Sequence, residues 1–259
     1  MPVTRAEPPS ERIEPILDGL KEAYPGATIA LDFTTPLECV VATILSAQST
    51  DVRVNIVTKD LFRKYRRAED YLAVPEEELQ IDIQSTGFFR QKTKSLRGMA
   101  QKLIDEFDGE VPRRIADLLK LPGVARKTAN VVQSACFPEE VATDPDAGIA
   151  VDTHVGRVAV RLGLTKHNSK EAVPIEQDLM RLVPRADWPI VSYLFIEHGR
   201  TICDAKKPLC ADCPIEPLCP SSQEAGLPDL YRVPPKKRKT TKRRAARKPI
   251  PKRKAKPKS

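Results

Sequence analysis

Hydrophobic residues along this chain recur every three or four positions, which is the spacing of one face of an α-helix. The segment Thr35–Glu38 has the form of an N-terminal capping box with proline at the first helical position. Apolar side chains follow at positions 37, 40, 41, 44 and 45, so we predict a central helix that is apolar on nearly all sides. The same spacing predicts helices over 96–107, which Gly109 ends, over 115–119 and over 155–162.

Strict alternation of apolar and polar residues, the mark of a half-buried strand, is almost absent. Residues 149–151 are apolar but too few to carry a sheet. The sequence therefore predicts an all-α fold of packed helices. Two stretches depart from the helical pattern. We expect 138–148 to form a polar surface loop and 223–259 to form a disordered basic tail.

Charge is divided unevenly along the chain. Of its 43 Lys and Arg residues, 14 lie in 236–259, which holds no Asp or Glu, so the formal net charge of +8 conceals a body of net charge −6. The basic tail suggests a polyanionic partner but says nothing about the body. No stretch reaches the roughly 20 apolar residues of a membrane span, and the N-terminus resembles neither a signal nor a transit peptide. We therefore expect no membrane association and no export.

The sequence Leu121-Pro-Gly-Val-Ala-Arg-Lys-Thr-Ala129 lies between two predicted helices. Two helices joined by a tight Pro-Gly turn leave backbone N–H groups exposed at the start of the second helix, where a DNA phosphate binds well. We expect Gly123, Ala125 and Arg126 to take part. An ordinary turn between helices explains the proline and the glycine, but it does not explain the Arg126-Lys127 pair.

Lys127 and Asp152 are the candidate catalytic residues. A cation in the first turn of a helix is unfavourable by roughly 0.3 to 1 kcal/mol, so Lys127 is interpreted either as a phosphate ligand or as an amine whose pKa is lowered. An amine nucleophile must be neutral. Asp152 opens the helix over 155–162 and is suitably placed as its N-cap, which is the commoner role of such a residue.

Four cysteines close to one another indicate a metal centre. Their spacing is C-x6-C-x2-C-x5-C, formed by Cys203, Cys210, Cys213 and Cys219. Zinc and iron–sulfur clusters both accept four thiolates, so the residues alone leave the metal open. The other two cysteines, at 39 and 136, lie in apolar helical segments and are interpreted as core thiols.

LPGVARKTAN, AVDTH, LSAQSTD and the cysteine spacing, in their order along the chain, resemble the endonuclease III family of helix-hairpin-helix DNA glycosylases with AP-lyase activity. The resemblance covers about residues 13–219. It implies a six-helix barrel domain over 30–147, with the hairpin at 121–136. It also implies a second helical domain, built from 1–29 and 148–222, that holds a 4Fe-4S cluster beside a cleft for damaged double-stranded DNA.

Matched to the family residue by residue, Lys127 corresponds to the nucleophile and Asp152 to the catalytic carboxylate. The implied reaction removes oxidised pyrimidines through a lysine Schiff base and then nicks the strand by β-elimination. Gln48 matches the residue that fills the gap left by the flipped base, and the four cysteines match the cluster ligands. Lys206 and Lys207 resemble part of a loop that contacts phosphates.

Three features depart from the family pattern. Ala125 stands where the hairpin usually has a second glycine, and its methyl group crowds the approach of a phosphate. Phe88 replaces the usual aliphatic wedge and can stack on the orphaned base for roughly 1 to 3 kcal/mol. The stretch 138–148 is longer than usual and lies near the expected active site.

The sequence leaves two alternative functions open. A related branch of adenine mismatch glycosylases shares the hairpin and the cysteines, but it generally lacks the lysine at position 127 and carries a further folded domain. A non-catalytic iron–sulfur protein that binds DNA is the other alternative. We further expect a monomer, located in the cytoplasm with the nucleoid of a bacterium or in the nucleus of a eukaryote.

Overall fold

The computed structural model describes residues 3–232, and within that range it contains helices and no strand. Its helices are α1 Pro9–Ala23, α2 Pro36–Ser46, α3 Asp51–Lys64, α4 Asp70–Ala73, α5 Glu76–Ile83, α6 Phe89–Phe107, α7 Ile115–Leu118, α8 Arg126–Cys136, α9 Pro138–Val141, α10 Thr153–Arg161, α11 Ala172–Leu182 and α12 Trp188–Thr201. Short 3₁₀ turns cover Gln84–Thr86, Arg185–Asp187, Cys210–Asp212 and Glu216–Leu218. The all-α prediction is confirmed over the described part of the chain, where no helix is both long and apolar enough to cross a membrane.

Helix α2 is the central helix that the sequence predicts. The hydroxyl of Thr35 accepts a hydrogen bond from the Glu38 amide (3.2 Å), as a capping box requires. The Glu38 carboxylate accepts a hydrogen bond from the amide of Thr34 (2.6 Å), the residue before the N-cap, and so gives that amide a partner. Most of α2 is buried, and the helix packs against α3, α6 and α8. It therefore forms the floor on which the hairpin helix α8 lies.

Helix α6 ends where Gly109 predicts. Asp108 and Gly109 both adopt left-handed backbone conformations, with φ of +53° and +80°. The amide of Gly109 donates to the carbonyl of Leu103 (2.9 Å), which closes the last turn. The helix begins at Phe89, earlier than the apolar pattern indicates. Its first turn is mostly polar and so breaks the apolar pattern, although it includes Lys92, which is buried.

The N-terminal helix α1 packs against α11 and α12, which are far from it along the chain. Arg12, which is buried, joins these parts because its guanidinium donates to the carbonyls of Leu162 (2.8 Å) and Leu218 (2.9 Å). These bonds span 150 and 206 positions of the chain. One buried cation thus fastens the N-terminal helix to the segment that carries the cysteines.

The stretch 138–148 is only in part the polar surface loop that the sequence predicts, because six of its eleven residues are exposed and four are buried. It contains the short helix α9, and Asp144 in its middle is only 2% exposed. The Asp144 carboxylate accepts from the Ile115 amide and from the Gln133 side chain, each at 2.7 Å. Burial opposes ionisation, yet these donors lower the pKa of Asp144 below its ordinary value. Asp144 can be buried here because its carboxylate is paired with hydrogen-bond donors.

The expected boundary of the tail at residue 223 also requires correction, because residues 223–232 have defined places against the rest of the protein. Asp229 forms an ion pair with Arg161 (3.0 Å), and both side chains are almost completely buried. The same guanidinium lies over the ring of Tyr231, 5.2 Å from its centre. Residues 233–259, where the rest of the expected tail falls, lie outside the described residues.

Candidate active site

The Pro122-Gly123 turn joins α7 to α8 and lies against α6. Gly123 has a φ of +85°, and a Cβ atom there would lie 2.8 Å from the Cβ of Ser95. Neither the backbone conformation nor the space admits a larger residue. Gly98, one turn further along α6, leaves room for the ring of Pro122, since a Cβ at Gly98 would lie 3.2 Å from that ring. The predicted hairpin is therefore present and closely packed.

The start of α8 offers free backbone donors, as the hairpin prediction requires. The first helical hydrogen bond of α8 runs from the Ala129 amide to the Ala125 carbonyl (2.9 Å). The amides of Arg126, Lys127 and Thr128 find no backbone acceptor in the described part of the protein. Ala125, the N-cap of α8, has a φ of −91° and a ψ of 171°, an ordinary extended conformation that alanine adopts without strain. This arrangement suits an anion at the helix N-terminus.

The side chain of Arg126 is engaged within the protein. Its guanidinium forms an ion pair with Glu176 (3.0 Å) and donates to the carbonyl of Asp146 (3.1 Å). Asn130 also donates to Glu176 (2.8 Å), which is buried. At Gly148 a Cβ atom would lie 2.0 Å from the Glu176 carboxylate, so this position must be glycine. Arg126 therefore ties α8 to α11 and to the segment 138–148, and its predicted phosphate contact stays a prediction.

Lys127, Asp152 and Gln48 line one cavity between α2, α8 and α12, with a volume of about 340 Å³. That volume lies within the ~300–1,000 Å³ of small-molecule pockets. Lys127 is exposed, Asp152 is half-buried, and no ion pair within 4 Å joins Lys127 to a carboxylate of the described chain. Tertiary structure thus brings together three residues that the sequence places at separate motifs.

Asp152 is the N-cap of α10, as predicted. Its Oδ1 atom accepts from the amides of His154 and Val155, each at 2.8 Å. The other carboxylate oxygen accepts no hydrogen bond from the described residues. A single oxygen therefore performs the capping. Capping and catalysis are therefore compatible roles for this side chain.

The cavity has further polar walls that sequence reasoning missed. Asp51 and Arg200 form an ion pair (2.7 Å) on one side, and Glu197 lies on the same wall. Tyr193 also lines the cavity, and its buried hydroxyl has no partner in the described part of the chain. Burial raises the pKa of Tyr193 above its ordinary value. Asp51 belongs to LSAQSTD and could have been found there, whereas no local pattern marks the residues of α12.

The two residues expected to enter the duplex lie on loops with unusual backbones. Gln48 has a φ of +54° and Phe88 a φ of +48°, values that residues other than glycine seldom adopt. Phe88 is 64% exposed and is not part of the cavity wall, whereas Gln48 is. An exposed phenylalanine on a strained loop is a feature that packing alone does not explain.

Lys206 and Lys207 lie on the loop between the first two cysteines of the motif, and both are exposed. Their backbone amides donate to the Asp204 carboxylate (2.8 and 3.0 Å), which fixes the loop. These two hydrogen bonds lower the pKa of the Asp204 carboxyl below its ordinary value. Arg161 donates to the backbone carbonyl of the same residue. Both ammonium groups are thus presented on a defined loop, away from the cavity.

The four cysteines of the motif line a separate pocket beside α10 and α12. Cys203 accepts a hydrogen bond from Arg161 (3.3 Å), and Cys213 lies 3.8 Å from the Nε2 atom of His198. Burial, together with the neighbouring thiols, raises the pKa of Cys213 to about 12 and that of Cys219 to about 11. Within residues 3–232, no group of three His, Cys, Asp or Glu side chains has the arrangement that holds a single metal ion.

Several known proteins are similar to this chain in sequence and in fold. The family model described as HhH-GPD superfamily base excision DNA repair protein matches residues 41–185. Endonuclease III of Synechocystis sp. is 51% identical over 213 residues, which are 82% of this chain and 94% of the relative. Endonuclease III of Bacillus subtilis is 47% identical over 214 residues, which are 83% and 94% of the two chains.

Solved structures agree with the sequence relatives. A trapped endonuclease III–DNA covalent intermediate is 42% identical, has a TM-score of 0.74, and covers 84% of this chain and 98% of that chain. A non-covalent endonuclease III–DNA complex gives the same values. By its helical fold, its hairpin and these relatives, the chain belongs to the endonuclease III family of HhH-GPD base-excision repair proteins, and it is a DNA-binding glycosylase and AP lyase.

Proposed function

We propose that this enzyme removes oxidised pyrimidine bases from damaged duplex DNA and then nicks the strand through a Schiff base on Lys127. The observation that carries this proposal is the meeting of Lys127 and Asp152 in one cavity at the N-termini of two helices. A stacked base shields its sugar carbon, so the damaged nucleotide must leave the duplex before it can react. The cavity is the place that receives it.

The reaction begins with attack of the neutral Lys127 amine on C1′ of the flipped nucleotide. The bond from nitrogen to C1′ forms as the glycosidic bond breaks, and the base departs with the bonding electrons and takes up a proton. Asp152 accepts the proton that the Lys127 ammonium must lose, or stabilises positive charge on the sugar, through the oxygen that does not cap α10.

The sugar then opens to an imine between its C1′ and the lysine nitrogen. This imine makes the 2′ proton acidic, because the electrons of that C–H bond are drawn toward the positively charged nitrogen. Loss of the proton expels the 3′ phosphate and breaks the strand by β-elimination. The exposed position of Lys127 leaves room for the linked sugar at the mouth of the cavity.

The hairpin binds the DNA backbone in this proposal. The amides of Gly123 and Ala125, with those of the first turn of α8, offer a phosphate several donors at the positive end of a helix. Lys206 and Lys207 hold further phosphates from the neighbouring loop. Gln48 fills the gap left by the flipped nucleotide, and Phe88 stacks on the base opposite the lesion, for roughly 1 to 3 kcal/mol.

Cys203, Cys210, Cys213 and Cys219 are proposed to hold a 4Fe-4S cluster. The four thiols line one pocket, and burial raises the pKa of Cys203, Cys213 and Cys219, which suits a metal centre because such pKa values fall when a metal replaces the protons. Zinc and a 4Fe-4S cluster both accept four thiolates, and the similarity to the endonuclease III family favours the cluster. Held by these cysteines, two of which flank the loop of Lys206, a cluster would cross-link that loop to the rest of the protein.

We also propose that the enzyme acts as a monomer built from two helical bodies. The first body is the barrel over 30–147, and the second joins 1–29 to 148–222. The buried guanidinium of Arg12 supports this division, because it binds the N-terminal helix to Leu162 and Leu218. Sedimentation of the purified protein, alone and with duplex, tests the monomer.

Borohydride trapping tests the reaction. A duplex with thymine glycol is expected to give a covalent protein–DNA adduct, because borohydride reduces the imine to a stable amine. Lys127→Arg keeps the charge and is expected to abolish the adduct, whereas Lys166→Arg, at an exposed lysine outside the cavity, is expected to keep it. An adduct that persists in Lys127→Arg contradicts the proposal. Adenine release opposite 8-oxoguanine without trapping would instead indicate the mismatch glycosylase branch.

A further inference from the structure

Two strained loops carry the residues expected to enter the duplex: Gln48, which lines the cavity, and Phe88, which does not. Among the described residues other than glycine, these two and Asp108 are the ones with positive φ. Such a backbone is unfavourable and persists only where the surroundings impose it. Both side chains are exposed, so the groups that impose these conformations must lie beneath the loops.

Lys92 lies beneath both loops. It is on the first turn of α6 and is 4% exposed. Its ammonium donates to the carbonyl of Leu45 (2.7 Å), three residues before Gln48, and to the carbonyl of Thr86 (2.8 Å), two residues before Phe88. Its backbone amide donates to the carbonyl of Phe88 itself (3.0 Å). One residue thus holds both loops through three hydrogen bonds.

Burial of an ammonium group is energetically unfavourable, so its use to join two loops needs an explanation. Burial lowers the pKa of Lys92, and no carboxylate of the described chain lies within 4 Å of it. The ammonium pairs with two backbone carbonyls. One of them, the Leu45 carbonyl, lies in the last turn of α2, where carbonyls have no partner within the helix. A side chain without hydrogen-bond donors would leave both carbonyls buried and unpaired, which is unfavourable.

We propose that Lys92 is a positioning residue that fixes the Gln48 and Phe88 loops to each other, so that both side chains enter the duplex as one unit. Lys92 does not touch DNA and acts only through these loops. The same helix also sets the phosphate-binding turn, because Ser95 packs against Gly123 and Gly98 against Pro122. Helix α6 thereby sets the distance between the anchored phosphate and the inserted side chains.

This inference rests on the proposed function, and its test separates insertion from chemistry. The substrates are a duplex with thymine glycol and a single strand with an AP site, which is already unstacked and needs no insertion. Lys92→Met, which keeps the length but not the donors, is expected to slow single-turnover cleavage of the duplex by about 10- to 100-fold. Trapping on the single strand is expected to change by less than about twofold. The control Lys94→Met alters an exposed lysine of the same helix and is expected to leave both rates unchanged.

A double-variant cycle identifies the route of the effect. If Lys92 acts through the Phe88 loop, the duplex rate of Lys92→Met with Phe88→Ala lies close to that of Phe88→Ala alone, since the wedge is already lost. Effects that multiply, or an equal loss on both substrates, would overturn the proposal. Lys92→Arg keeps hydrogen-bond donors and replaces Lys92→Met as the test variant if Lys92→Met does not fold. Its cleavage rate on the duplex is expected to lie between those of wild type and Lys92→Met.

A binding measurement remains informative even if the chemistry proposed above is wrong. A duplex with a tetrahydrofuran abasic site, which the enzyme cannot cleave, carries 2-aminopurine opposite that site. Wild-type protein is expected to change its fluorescence on binding, and Lys92→Met is expected to lose most of that change at saturating protein. Retention of the full change in Lys92→Met would refute the positioning role, whereas absence of a trapped adduct with wild-type protein refutes the lyase chemistry alone.

Discussion

At the scale of single residues, the two carboxylate oxygens of Asp152 differ in their partners. One oxygen accepts hydrogen bonds from both amides at the start of α10, and the other accepts none from the described residues, which leaves it for the proposed reaction. Lys127 itself lies in the first turn of α8, where the helix dipole disfavours its charge by roughly 0.3 to 1 kcal/mol. The positive end of the same helix favours a phosphate, so dipole and phosphate act on this amine in opposite directions.

Asp152→Asn is expected to separate these roles. An asparagine side chain caps helices about as well as aspartate, so the melting temperature should change little. Single-turnover base release is expected to fall by at least about 100-fold, because the amide neither accepts a proton nor carries a negative charge. Asp152→Ala is expected to lose the activity and also about 1 kcal/mol of stability. Equal activity in wild type and Asp152→Asn would remove this residue from the reaction.

At the scale of structural elements, the hairpin and the segment 138–148 are both fixed from outside their own sequence. Position 123 admits only glycine, because Ser95 of α6 lies directly beneath it. Asp144 caps the start of α7, since its carboxylate accepts from the Ile115 amide. The carbonyl of Asp144 also accepts from Arg185. The hairpin therefore depends on α6 for its position, and the segment 138–148 depends on α7 and on the turn at Arg185–Asp187.

Gly123→Ala is expected to weaken DNA binding by at least tenfold and to lower stability, because a left-handed residue with a Cβ 2.8 Å from Ser95 must move. Ala125→Gly, which restores the glycine usual in the family, makes the matched control. Ala125 already has an ordinary φ and is the N-cap of α8, where glycine is preferred to alanine, so its replacement is expected to keep the affinity within about twofold without a loss of stability. Fluorescence anisotropy with a labelled abasic duplex measures both affinities, and equal affinities for the two variants would contradict a specific role for Gly123.

Asp144→Asn gives a prediction with a pH dependence. The pKa of Asp144 is lowered in the folded state, so its contribution to stability is complete above the unfolded pKa of about 3.8 and is lost as the pH falls through the folded value. The variant is expected to be about 1–3 kcal/mol less stable at pH 7. Below about pH 4 that difference should shrink. Thermal unfolding followed by circular dichroism at several pH values measures it, and a constant difference would show that Asp144 keeps no perturbed charge.

At the scale of the whole molecule, cationic side chains join distant parts of the chain. Arg12 attaches the N-terminal helix, and Arg161 pairs with Asp229 while it donates to Cys203. The segment up to residue 232 is thereby fixed against the cysteine pocket. The strongly basic part, 236–259, lies outside the described residues and adds 14 positive charges to an acidic body.

Removal of residues 236–259 is expected to weaken DNA binding and to flatten its dependence on salt. Each phosphate that the tail neutralises contributes about 0.9 to the slope of log K against log salt. Single-turnover cleavage at saturating enzyme should stay nearly the same, because the cavity of Lys127 is untouched. Titrations at several salt concentrations provide the slope, and an unchanged slope would assign the tail another role.

The sequence by itself determined the local features: the helices, the capping box of α2, the hairpin, and the residue types of the reaction and the cysteine motif. These depend on spacing within one or two helical turns, which the chain displays directly. Only the tertiary structure decided that Lys127, Asp152 and Gln48 share a cavity, that Lys92 joins two loops, and that Arg126 is paired with Glu176.

The stretches 138–148 and 223–232 show the physical reason. Both read as solvent-exposed, because local polarity normally indicates exposure. Asp144 and Asp229 are nevertheless buried, since each meets donors supplied by residues far away in the chain, Ile115 and Arg161 among them. A polar side chain can be buried wherever its hydrogen bonds are satisfied, and only the folded chain determines which donors reach it.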